Sequence, residues 1–120
     1  MLCMITHRTT FNTIEEQGAL IIMRRTATAY DHVQQVVDEA ERLVALFPAD
    51  GRGSRVILRD LRAVRGNGDP AIDSARNEYN GQFFRGWRHV IALLETEVGR
   101  LHAQRAFCCD GRRSAVLLHG

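Results

Sequence analysis

Residues 51–66 read GRGSRVILRDLRAVRG, with five arginines against one aspartate in sixteen positions. Whether this stretch is a helix or a strand decides the fold. At 100° per residue, Ile57, Leu61 and Val64 fall in one narrow sector, and Arg55, Arg59 and Arg62 face the other way. Ser54 suits an N-cap and Gly66 a stop. The spacing therefore predicts a short amphipathic helix over 54–65.

Working outward, the preceding segment carries Tyr30, Val33, Val37, Ala40, Val44 and Phe47 at steps of three and four. This seam predicts a helix over 28–47, ended by Pro48. On the other side, Asp69 and Pro70 form a strong start signal, and Asp73 complements the positive end of a helix dipole. From Ile72 through Tyr79, Phe83, Trp87, Val90 and Leu94 to Leu101 the apolar positions keep a 3/4 register. They predict a long third helix over 70–104, or two helices if the chain breaks at Asn80-Gly81.

The expected fold class is therefore all-α: a small antiparallel bundle of three helices, or four with that break. Residues 26–105 would be the bundle domain, 1–25 an N-terminal extension and 106–120 an irregular tail. Within the extension, Thr13 to Glu16 has capping-box spacing, and Ala19 to Met23 (ALIIM) reads as a short helix or as a strand without an evident partner. Met23 is also an alternative start to Met1.

Composition bounds the function classes. With 45% hydrophobic and 25% charged residues, the chain of 120 residues is an ordinary single domain. No apolar run approaches the length of a spanning helix, no segment resembles a signal peptide, and a cytoplasmic location without membrane association is expected. Cys3, Cys108 and Cys109 lack zinc-ligand spacing and read as free thiols, the adjacent pair being too strained to bridge. None of the histidines enters a metal or catalytic motif. No cofactor, metal or catalytic residue is predicted.

All sixteen basic residues are arginine, yet the net charge is only +2. Arg52, Arg55, Arg59, Arg62 and Arg65 along one helix face would suit phosphate backbones, which makes a nucleic-acid-binding accessory protein the alternative reading. The acids Asp31, Asp38, Glu39, Glu41 and Asp50 within residues 31–50 offer a simpler explanation, an acidic helix beside a basic one. Phe83, Phe84 and Trp87 are spaced as core residues rather than as a stacking platform. Arg25/His32, Arg112/His119 and Arg113/His119 match the Arg-x4–6-His spacing used by some helical ribonucleases, but about two such matches arise by chance in this composition. That reading ranks third.

A third helix longer than its neighbours would project beyond them and expose Ile91, Leu94, Val98 and Leu101. Exposed apolar surface of this kind finds partners. The leading expectation is a small non-enzymatic interaction protein, either a homo-oligomer or one that binds another protein through those four residues.

Overall fold

The computed structural model describes residues 5–64, 68–94 and 114–118. It corrects the all-α expectation. The described residues form a mixed β-sheet with two helices, an α/β fold.

The element order is β1 (Ile5–Arg8), β2 (Asn12–Gln17), β3 (Leu20–Arg25), α1 (Val33–Leu46), β4 (Val56–Asp60), α2 (Pro70–Phe83), β5 (His89–Leu94) and β6 (Ser114–Leu118). Six strands lie side by side in chain order. The first three form an antiparallel meander, and β3 through β6 run parallel. The β2–β3 hairpin closes through two residues, Gly18 and Ala19, with Gly18 at φ 62°, where a tight hairpin turn favours glycine.

Every parallel step goes the same way across the sheet. Right-handed crossovers then place both helices on one face, and α1 does pack against α2. The main core lies beneath them. Ile14, Ile21, Met23, Ile57, Val90 and Ala92 from the sheet meet Leu43, Phe47, Phe83, Phe84 and Trp87. A smaller cluster of Phe11, Tyr30, Val36 and Ile72 closes one end.

The stretch at 51–66 holds no α-helix among its described residues. Arg52–Ser54 form a 3₁₀ turn, and Val56–Asp60 form β4 between β3 and β5. Ile57 and Arg59 face the helices while Leu58 and Asp60 face away, the period of two expected of a strand. Leu61 and Val64, the remainder of the helical sector, lie in the turn that follows. A short apolar run satisfies both periods, and the sheet ladder on either side selects the strand.

The long third helix is likewise two elements. Helix α2 starts as predicted, with Asp69 accepting from the Ala71 amide at 2.9 Å. Asn80 and Gly81 stay helical, and the chain turns at residues 84–86, where Gly86 adopts φ 87°. Strand β5 then begins at His89. The predicted first helix exists, but its buried face differs. Val36, Glu39 and Leu43 are buried, whereas Val33 and Val44 are 37% and 46% exposed. The seam is rotated by about 100°, roughly one residue. Residues 5–25, expected to be an extension, build three strands, and the Ala19–Met23 run finds strand partners in both β2 and β4. In the predicted tail, Ser114–Leu118 pair with β5.

Candidate functional site

At the carboxyl edge of β3 and β4, a polar group interrupts the core beneath the helices. Arg25 ends β3, Arg59 is the penultimate residue of β4, and Asn12, the first residue of β2, pairs with Arg25 across the ladder. Helix α1 contributes Glu39 from its buried face, and α2 contributes Arg76 and Tyr79. These side chains line a cavity of about 30 Å³, enough for two waters or a compact ion at about 10–15 Å³ per water. In parallel sheets this edge is the usual location of ligands.

Arg59 is the centre of the site. Its side chain is 7% exposed and stacks on the Phe84 ring, with the guanidinium carbon 4.1 Å from the ring centroid. Among the described residues no carboxylate lies within ion-pair distance of it, and its Nε has no hydrogen-bond partner. Burial, with the neighbouring Arg25 and Arg76 charges adding to it, pulls the Arg59 pKa down to about 9. Buried cations are normally paired, because desolvation without compensation is costly.

Arg25 is held differently. Its Nε donates to the Phe11 carbonyl at 3.0 Å and Nη2 to that of Thr28 at 3.1 Å, with the guanidinium 4.6 Å from the Tyr30 ring. Burial lowers its pKa and raises that of Tyr30. Arg76 sits at the cavity's outer side and pairs with Asp73 at 2.9 Å.

The site's one carboxylate is Glu39, 2% exposed. Its Oε2 accepts from the Asn12 amide and the Thr9 hydroxyl, each at 2.5 Å. Glu39 Oε1 and Asn12 Oδ1 have no hydrogen-bond partner. The exposed Arg42 reaches Oε1 only at 3.8 Å, too far for a hydrogen bond. One donor and two acceptors are thus left without partners, on three residues that line the cavity together with Arg25 and Arg76.

Of the five arginines predicted to share a face, the four that are described do not form one. Arg52 is buried and clasps the core, donating to the carbonyls of Phe47 at 2.9 Å and Arg85 at 3.2 Å and lying over Phe83. Arg55 is half-buried beside Glu16, with 4.0 Å between charged atoms. Arg62 chelates Asp60 on the opposite sheet face, and that contact holds the Asp60 carboxyl below its ordinary pKa. Arg65 lies outside the described residues.

Of the predicted interface residues, Ile91 is half-buried on the face away from the helices, and Leu94 is buried on the helix side. Val98 and Leu101 lie outside the described residues, as do Cys3, Cys108, Cys109, Arg112, Arg113 and His119. In the remaining Arg/His pair, Arg25 lines the cavity and His32 is exposed at the α1 N-cap.

Sequence reasoning missed Asn12 and Arg76, names Arg25 and Glu39 only in other roles, and places Arg59 on a wet face. One signal was present for Glu39, which shares a stripe with Val36 and Leu43 at steps of three and four. Nothing comparable marked Asn12 or Arg76, whose neighbours in the site are distant in sequence. Among the described residues no cluster of metal-ligand type occurs, and no helix is long and apolar enough to cross a membrane. No family model, curated protein or solved structure matches the chain.

Proposed function

We propose that this chain is a binding domain for a small oxyanion, held in the cavity between the carboxyl edge of β3–β4 and the two helices. The observation behind this reading is Arg59, a buried guanidinium with no carboxylate partner and an open Nε, beside Arg25 and Arg76. An oxyanion there would accept from Nε and offset the excess positive charge where little water screens it. The test is thermal unfolding and calorimetric titration with inorganic phosphate, sulfate and acetate. At least one should raise the melting temperature by several degrees at 100 times its Kd, equivalent to about 2.7 kcal/mol. Arg59→Met should abolish that increment. If none of the three anions binds, the reading is wrong.

A second reading, protein interaction through an apolar surface, is favoured by the other face of the sheet. Leu20, Val56, Leu58, Ile91 and Leu93 share that face and are half-buried, and no described helix covers them. Parallel sheets are normally covered on both faces. Self-association through this face would retain Ile91 from the predicted interface. Sedimentation velocity should then show a dimer that Leu58→Glu dissociates, whereas a monomer at several hundred micromolar would exclude self-association.

A further inference from the structure

The three open polar atoms say more about the ligand than its charge. Arg59 Nε needs an acceptor, but Glu39 Oε1 and Asn12 Oδ1 need donors. A bare oxyanion such as sulfate offers acceptors only. It would satisfy Arg59 and set its remaining oxygens against a buried carboxylate and a buried carbonyl, where lone pairs repel. An ammonium group could donate to Glu39, but it would add a fourth cation to a cavity already holding three guanidinium groups. The ligand that meets every requirement is an anion carrying its own neutral O–H donor.

We infer that the cavity recognises a protonated phosphoryl group, with Arg59 donating to a phosphoryl oxygen and Glu39 Oε1 accepting the phosphoryl O–H. This rests on the oxyanion reading above and specifies the ligand within it. Near neutral pH, inorganic phosphate retains at least one proton while sulfate retains none, so two anions of similar size and shape differ in the one feature that Glu39 can sense. The positions of the other two groups agree with this assignment. Glu39 Oε2 is fixed by Asn12 and Thr9, which leaves Oε1 as the free acceptor and limits rotation of the carboxylate away from the cavity. Asn12 Oδ1 supplies a second acceptor for a doubly protonated ion. Sites built to hydrogen-bond a donor reject analogues that lack it, because buried polar atoms are then left unpaired.

The experiment is calorimetric titration of the full chain with inorganic phosphate, sulfate and monofluorophosphate at pH 7.5. The last resembles phosphate in size but has no proton at that pH. Phosphate should bind about 100-fold more tightly than either of the others. Glu39→Gln replaces the acceptor by an amide that can donate, and should bring the phosphate-to-sulfate ratio within about tenfold. A merely structural role for Glu39 would weaken both anions and leave their ratio unchanged. The inference is overturned if the unaltered chain binds sulfate or monofluorophosphate as tightly as phosphate, an outcome that leaves the oxyanion reading standing. The comparison with monofluorophosphate needs no variant, so a Glu39→Gln chain that fails to fold does not remove the test. Methyl phosphate at pH 6, where it keeps a proton, separates two sources of the same group. Retained affinity assigns the head of a phosphomonoester, and lost affinity assigns free phosphate.

Discussion

Alanine in place of Phe84 should lower the unfolding free energy by about 3–5 kcal/mol, the largest single effect expected in this chain. Phe84 is 1% exposed, its ring meets that of Phe83 edge-on at 4.8 Å between centroids, and it belongs to the main core beneath the helices. Truncation removes the transfer energy of the ring and leaves a void that the sheet on one side and Phe83 on the other cannot collapse to fill. Part of the loss belongs to Arg59, whose guanidinium lies 4.1 Å from the ring centroid. A desolvated contact of this kind is worth about 2 kcal/mol. Phe84→Ala should therefore cost roughly 1–2 kcal/mol less in an Arg59→Met background than alone. Urea unfolding of the four chains measures the coupling, provided the denaturant slopes agree. Equal costs in both backgrounds would show that the ring and the cation are energetically independent.

Arg59→Met should have the opposite sign and stabilise the chain by about 1–3 kcal/mol. The substitution removes an unpaired buried charge, and the methionine fills the same slot against Phe84 with a favourable sulfur–aromatic contact. In a domain of this size that corresponds to a rise in Tm of about 4–12 °C. The effect is tied to pH in a definite direction. The folded pKa of Arg59, about 9, lies well below its unfolded value, so below pH 9 the side chain is charged in both states and the folded state bears the full desolvation cost. As pH rises through 9 the folded state releases the proton first, the unfolded state then binds more protons, and this contribution to stability increases. The advantage of Arg59→Met over the unaltered chain should accordingly be largest at pH 7 and shrink by pH 10, as read from paired melting curves. A bound anion should shrink it as well, since only the unaltered chain gains from the ligand. On the oxyanion reading, the buried charge is kept at a cost in stability because the ligand uses it. If Arg59→Met were neutral or destabilising at pH 7, the cation would be compensated within the fold, and the oxyanion reading would lose its main support.

The candidate site was poorly legible in the sequence because its members come from β2, β3, α1, β4 and α2. Arg59 stood in a row of arginines at helical spacing. Only the sheet separates that row, sending Arg59 into the core, Arg62 to Asp60 on the far face and Arg52 into a clasp between α1 and the turn after α2. Glu39 was counted among the solvated acids of its helix because an acid in an apolar seam reads as an interruption of the seam. The predicted register accordingly places Val33 and Val44 in the seam and leaves out Leu43, which is buried.

Local signals did determine some features. The helix ended before Pro48 lies at Val33–Leu46, the Asp69-Pro70 start opens α2 at Pro70, and the Phe83–Phe84–Trp87 group is core. These follow from caps, proline geometry and large apolar side chains, whose effects are confined to a few neighbouring residues. What only the tertiary structure decided was the state of Val56–Asp60 and His89–Leu94. A helix satisfies its backbone within four residues, but each of these segments satisfies its own through strands elsewhere in the chain: β4 bonds to β3 and β5, and β5 to β4 and β6. For five or six apolar residues both periods fit the pattern, so the choice passes to hydrogen-bond partners that local spacing does not reveal. The same sheet that makes VILRD a strand turns the Arg59 guanidinium from water into the cavity, and with it creates the site.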